Sequence, residues 1–480
     1  MADEISRRGF IQVSTAAGLA MPGLASGPRA SGGQRHPALI SPGCRKSRVR
    51  VAKLYLGKPK ALWPTPGLDL EDEIRKYEVE LAQLGELGDV EFVANQLITE
   101  TAQIEPLVPA LRAADGLLLI HLSMGISEMM NRLLALERPT VLFAAPYSGH
   151  EWASFGELLK RPEGRLLDCL LTSDCAQLAA AVRPFRAIHH LREAKILNIS
   201  KRPPAEDYLA AVKERFGTEV KTMDQAPIIK AYEAVSEAQA RQEADAWIKG
   251  AERVIEPDRD EIVRSCRLAL ACQRVLDDEQ ATVMTVDCYG SMYHQLPAFP
   301  CFAWVRLNNL GLGGICESDL RSALTHILFQ GLSGRPGFIS DPTFDEANGT
   351  VILAHCLGTT RMDGPDGDAD PYLIRSIMER QEGAVIQSRM RIGQRVTQAI
   401  FVGADTLLYF TGRIADTPDS PRGCRTKIAV KPDGDLTQLW RNWSHGLHRQ
   451  TCYGDITPDL RRFCRYKEVR MINEAPPAPA

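Results

Sequence analysis

From residue 48 onward the hydrophobic pattern keeps switching between two periods, and that alternation most constrains the fold. Residues 49–56 are β-rich and end in Gly57, whereas residues 68–87 have helical spacing with dense charge on the polar face. Residues 90–97 are again β-like and residues 104–113 helical. Residues 116–122, Gly-Leu-Leu-Leu-Ile-His-Leu, form a continuous apolar run, the pattern of a parallel strand covered on both faces. Helix 126–137, strand 140–145, helix 151–160 and strand 166–172 continue the series. Strands alternating with helices predict a doubly wound α/β domain over 48–172. Its first turn carries neither GxGxxG nor a Walker sequence, so a nucleotide role lacks support.

The alternation persists over 173–345, predicting a second doubly wound α/β domain. Its expected elements are helix 176–192, strand 195–199, helix 205–216, strand 219–223, charged helices 228–251 and 258–276, and strand 281–286. The loop Asp287-Cys288-Tyr289-Gly290 follows. Pro297, Pro300 and the turn residues of 308–314 predict a long irregular connection lining a cleft. Beyond Asp341 the texture changes to short β-type runs at 351–354, 394–401, 406–411 and 426–430, separated by Gly, Pro and Asp. This predicts a β-rich, mostly antiparallel C-terminal domain over 346–480 with a disordered Pro/Ala-rich tail after Asn473. The expected fold class is therefore α/β, two doubly wound α/β domains followed by a β-rich C-terminal domain. The second is expected to carry Glu317 and Asp341.

Composition bounds the partners. A chain of 480 residues with 44% hydrophobic content has ample material for several cores. Its net charge of −3 argues against a nucleic-acid footprint. No apolar run in the body approaches the length of a membrane-spanning helix, so no stable membrane insertion is expected. The N-terminus differs: Ser6-Arg7-Arg8-Gly9-Phe10-Ile11 precedes a weakly apolar Ala/Gly-rich run over 13–25. Paired arginines before such a run are the signature of a twin-arginine export signal. The Gly, Pro and Ser of 26–47 suggest a cleavage region and linker, so 1–47 is assigned to signal peptide and linker. The expected partner is the twin-arginine export machinery, which carries folded proteins, and the expected location is periplasmic or otherwise extracytoplasmic. Twelve cysteines without a CxxC pair, most within apolar stretches, predict mainly free buried thiols.

Candidate chemistry concentrates in 313–356. Glu317 follows Gly-Leu-Gly-Gly and opens an apolar run with helical spacing, Asp341 comes 24 residues later, and His355 closes the apolar segment 351–354. Each sits where a regular element begins or ends, where functional side chains are usually displayed. Two carboxylates and an imidazole suit a divalent cation such as Mn²⁺ better than a thiolate-seeking metal. Each also has an ordinary structural role open to it. Glu317, with Ser318 and Asp319, suits a helix N-terminus; Asp341-Pro342 suits a turn; His355 suits a hydrogen-bonded core histidine; His448 suits a surface loop. His121, ending an N-terminal strand, reads as a structural histidine.

The strings CESDL, ISDP and HC, with GLHRQTCYGD near the C-terminus, resemble the L-fucose isomerase/L-arabinose isomerase family over roughly residues 48–472. The resemblance implies a metal set of Glu317, Asp341 and His448, with His355 added as in the arabinose type. It implies Mn²⁺ as the expected cofactor and Glu317 and Asp341 as catalytic carboxylates. His355 and His448 are then expected to orient the cation and bind the sugar hydroxyls. The implied reaction is aldose–ketose isomerisation of a pentose, hexose or deoxyhexose through a cis-enediol(ate), by a homo-oligomer. An export signal departs from intracellular sugar metabolism, which keeps a rival open: an exported non-catalytic sugar-binding protein with the same two-lobed cleft. A metal-dependent hydrolase finds no HExxH, GxSxG or clustered HxH support.

Overall fold

The computed structural model describes residues 39–477. The twin-arginine motif and the apolar run after it lie outside the described residues. The described part of the expected linker, 39–47, is packed: Cys44 is buried, Ser41 Oγ lies 3.0 Å from His190 Nε2, and Arg45 Nε donates to the Ala281 carbonyl at 2.8 Å.

The first unit is a parallel sheet of β1 (Val49–Leu56), β2 (Val90–Ile98), β3 (Gly116–His121), β4 (Thr140–Ala144) and β5 (Leu167–Leu171) in the order β2-β1-β3-β4-β5. All six residues of β3 are buried; Leu117 and Leu119 enter one core, Leu118 and Ile120 the other. Period-two alternation thus sends each neighbour to an opposite helical layer, so the run stays apolar up to His121 at its end. Helix Gln177–Glu193 leads to the second parallel sheet. That sheet joins β6 (Lys195–Ile199) and β7 (Glu219–Met223) to β9 (Val283–Val286) and β10 (Gly313–Cys316), in the order β10-β9-β6-β7. A short β8 (Arg253–Val254) leaves it to pair elsewhere.

Two expectations are corrected here. The helix expected over 228–251 is two helices, Ala226–Ala234 and Glu237–Gly250. They break at Ser236, which exchanges capping bonds with Gln239. The irregular connection expected around 308–314 is instead a largely buried helix, Cys301–Asn309, followed by β10. Gly313 and Gly314 serve close packing rather than a turn. A Cβ on Gly314 would lie 2.4 Å from Trp304 Cα, and one on Gly313 2.7 Å from Val283 Cγ2.

The remaining strands are β11 (Phe338–Asp345), β12 (Thr350–His355), β13 (Tyr372–Arg375), β14 (Val385–Ser388), β15 (Arg395–Val402), β16 (Thr406–Asp416), β17 (Thr426–Pro432), β18 (Arg449–Tyr453) and β19 (Arg470–Asn473). Strands β15-β18-β11-β12-β17-β16 pair in antiparallel succession, and a further β15–β16 pairing closes the ring, with β19 appended to β16. A separate small sheet, β14-β13-β8, ties this region back to the second unit. The fold is thus two parallel α/β units plus a β-rich antiparallel region, as the alternation predicts. Asp341 lies on β11 of the antiparallel ring, not on the second parallel sheet. The tail expected to be disordered is ordered through its first residues: Glu474 and Ala475 are buried, and the Pro476 carbonyl accepts from Asp435 N at 3.1 Å. Among the described residues no helix is long and apolar enough to cross a membrane.

Candidate active site

In the second sheet β6 is followed by β7 on one side and by β9 and β10 on the other. The winding direction therefore reverses between β6 and β9, and a crevice opens at their carboxyl ends. A cavity of about 630 Å³ lies there, lined by Asn198 and Ser200 at the end of β6, Asp287 beyond β9, Glu317 to Arg321 beyond β10, and His448. Asp287 clamps the crevice, accepting from Ser291 N and Ser291 Oγ at 2.8 Å each and from Ser200 Oγ at 3.3 Å.

Beyond β10 the backbone turns sharply. Glu317 (φ +62°) and Ser318 (φ +52°) both occupy the left-handed region, which costs non-glycine residues of order 1–3 kcal/mol each. The turn is held by Ser318 N donating to Val286 O at 3.1 Å and Asp319 N to Cys316 O at 3.2 Å. Asp319 then caps helix Leu320–Ser333, its Oδ1 accepting from Arg321 N and Ser322 N. Its other oxygen accepts from Ser322 Oγ at 2.7 Å and lies 3.0 Å from His448 Nδ1. Burial alone raises the Asp319 carboxyl, but the His448 hydrogen bond and charge, with Arg321 and Ser322, bring it down to about 2.

The antiparallel ring supplies the rest. Ser340 of β11 pairs with Arg449 of β18, and Asp341 with Ala354 of β12. His448, just before β18, and His355, at the end of β12, therefore flank Asp341. With Nδ1 turned to Asp319, His448 presents Nε2 to Glu317 Oε2 at 3.6 Å and to Asp341 Oδ1 at 3.4 Å. His355 Nε2 stands 3.8 Å from Glu317 Oε1, and the two imidazole centroids are 5.6 Å apart. All four residues singled out in the sequence meet at one point, brought by four different segments: the turn after β10, β11, the end of β12 and the loop before β18.

The electrostatics follow from burial and crowding. The Glu317 carboxyl is raised by burial and by Asp341, Asp319 and Asp287, against the opposing His448. Burial likewise raises Asp341 against the opposing His448, with Glu379 and Asp319 adding to the rise. His448 loses basicity to burial but regains more from the Asp319 hydrogen bond and the surrounding carboxylates, so it is raised. Burial pushes His355 down to about 3, keeping it neutral.

This donor set fits a divalent cation. Ligand atoms of Glu317, His355 and His448 lie within 4.8 Å of one another. Asp341 Oδ1, which faces His448 Nε2, is buried with no hydrogen-bond partner, a cost of about 1–3 kcal/mol that coordination would offset. The carboxylate–imidazole pair Asp319–His448 is the outer-shell arrangement that fixes a metal-ligating histidine. Sequence reasoning passed over Asp319 as a helix-start acid and missed Ser200, Arg202, Tyr208 and Arg321 of the cavity wall. The available signal for Asp319 was its place inside the CESDL string. His121 is separate: it is buried, with Nδ1 2.8 Å from Ser148 Oγ and Nε2 2.7 Å from Glu151 Oε2, both in its own unit.

No family model matches the chain. It is similar to two curated proteins named sulfoquinovose isomerase. The one from Alkalicoccus urumqiensis is 23% identical over 310 residues, 60% of this chain and 67% of the relative. The one from Clostridium sp. (strain MSTE9) is 23% identical over 309 residues, 59% of this chain and 65% of the relative. The chain thus matches about two thirds of the length of each relative. That likeness supports an enzyme of the sugar aldose–ketose isomerase kind.

Proposed function

We propose that the protein is a divalent-metal-dependent aldose–ketose isomerase working through a cis-enediol(ate). Glu317, Asp341 and His448 would hold the cation, Mn²⁺ by the hardness of the donors, with His355 completing the set. The observation that carries this reading is the convergence of both carboxylates on His448 Nε2, itself aimed by Asp319. A cation bound there would supply charge stabilisation for the developing enediolate. Isomerisation moves the hydrogen on C2 to C1 and the hydroxyl proton on O2 to O1. One carboxylate oxygen of the Glu317/Asp341 pair takes the C2 proton and returns it to C1. His448 and His355 orient the sugar hydroxyls.

The substrate class is an aldose of pentose to hexose size. Within it, Arg202 and Arg321 in the cavity wall favour a sugar bearing an anionic substituent, such as the sulfonated hexose in the relatives' name. The paired arginines Arg7 and Arg8 support export of the folded protein through the twin-arginine route to an extracytoplasmic site. A homo-oligomeric state rests on the motif resemblance alone.

The deciding experiment measures metal content and screens pentoses, hexoses, deoxyhexoses and a sulfonated hexose for isomerisation with added Mn²⁺. Turnover should require the metal and fall by at least about 100-fold in both Glu317→Gln and Asp341→Asn. Bound metal with sugar binding but no turnover on any of these would instead favour the non-catalytic sugar-binding reading.

A further inference from the structure

A second group of ligand-type side chains lies one residue beyond His355. Cys356 follows β12 and is buried, Cys424 precedes β17, and Glu379 comes from the turn between β13 and β14. Cys424 Sγ donates to Glu379 Oε1 at 3.3 Å and Cys356 Sγ to Glu379 Oε2 at 3.7 Å. The three ligand atoms lie within 4.8 Å of one another. Each thiol therefore has its own carboxylate oxygen, and the three atoms form a compact triangle.

With sulfur–oxygen distances of 3.3 and 3.7 Å and all three atoms within 4.8 Å, small side-chain adjustments would bring the triangle to the dimensions of a metal site. Zinc–sulfur bonds of about 2.3 Å and zinc–oxygen bonds of about 2.0–2.2 Å imply tetrahedral edges of about 3.5–3.8 Å. The surroundings hold the ligands in place. Gln381 N donates to Ile377 O at 2.8 Å and Ile377 N to Glu382 O at 2.9 Å, closing the turn that carries Glu379. Arg425, next to Cys424, fastens that turn, donating through Nε to Ser376 O at 2.8 Å and through a terminal nitrogen to Ser376 Oγ at 3.1 Å. Glu379 is exposed, so a fourth position facing solvent is open to water.

We propose that Cys356, Cys424 and Glu379 form a second cation site, selective for a thiophilic divalent ion of the Zn²⁺ class. Two thiolates and a carboxylate are softer than the Glu/Asp/His set nearby, so the two sites sort their ions by ligand chemistry. The ion joins the ends of β12 and β17 to the turn after β13. This site is independent of the isomerase reading.

The test adds Co²⁺ to the full chain purified with reductant and freed of metal. Wild type and Glu317→Gln should both develop a thiolate-to-cobalt charge-transfer band with a tetrahedral visible spectrum. Cys424→Ser should lose the band, and Glu379→Gln should weaken Co²⁺ binding by about tenfold. In parallel, Zn²⁺ should protect two thiols of the wild type from alkylation, mapped by peptide mass to Cys356 and Cys424. That second readout needs no variant to fold. The proposal is overturned by absence of the band in wild type or by its persistence in folded Cys424→Ser. Zn²⁺ protection of other cysteines, such as Cys288, Cys301 or Cys316, or a Cys356–Cys424 disulfide in the purified protein, overturns it equally.

Discussion

Asp319 does two jobs with two oxygens: one closes the helix N-terminus and the other aims His448. The variant Asp319→Asn keeps an acceptor for the cap while removing the charge that orients the imidazole. Mn²⁺ affinity and kcat/KM should therefore fall by about 10–100-fold, and stability at neutral pH by about 2 kcal/mol, because the buried charge that its partners hold ionised is lost. Calorimetric Mn²⁺ titration beside steady-state kinetics checks this, and wild-type affinity in the variant would leave Asp319 as a cap only. At the same scale, the left-handed pair Glu317–Ser318 explains how a residue one step past a strand faces the cavity. Strain of this kind is kept where the surrounding hydrogen bonds over-determine it.

At the scale of elements, the site depends on the register of β18 against β11 and β12. Arg449 opens β18 and is fully buried, donating through Nε to Glu474 Oε2 at 2.9 Å and through a terminal nitrogen to Glu474 Oε1 at 2.6 Å. Its guanidinium also lies 4.4 Å from the Trp443 ring centroid. The Glu474 pair anchors the strand whose preceding residue is His448. Glu474→Ala leaves a buried guanidinium without its counter-ion, so stability should drop by about 3–5 kcal/mol. Urea unfolding measures that loss, and a change below about 1 kcal/mol would mean the pair is compensated by Trp443 and nearby carbonyls.

For the whole molecule, pH dependence offers a readout away from the candidate metal ligands. Burial raises the Asp370 carboxyl to about 6, beyond what Tyr453 and Arg391 return to it. A carboxyl raised on folding adds stability below its unfolded value of about 4, and that stability is lost as pH rises through about 6. Wild type should therefore gain about 2–3 kcal/mol relative to Asp370→Asn between pH 7 and pH 4, measured by unfolding at each pH. Export belongs to this scale too: Arg7→Lys with Arg8→Lys should leave the protein in the cytoplasmic fraction on cell fractionation, whereas unchanged export would remove the twin-arginine reading. The sequence by itself determined the layer architecture, because parallel strands covered on both faces are largely apolar runs and the helices between them show a different period. It also singled out Glu317, Asp341, His355 and His448 through the motif resemblance, although Asp341, expected at the end of an element, falls inside β11. Tertiary structure alone decided that they meet, since Glu317 belongs to a parallel sheet and the others to an antiparallel ring, and no local pattern encodes the register between them. It likewise turned Asp319 from a helix cap into the partner of His448, 129 residues away. That partner was invisible in the chain because hydrogen-bond geometry at such separation exists only once both units have packed.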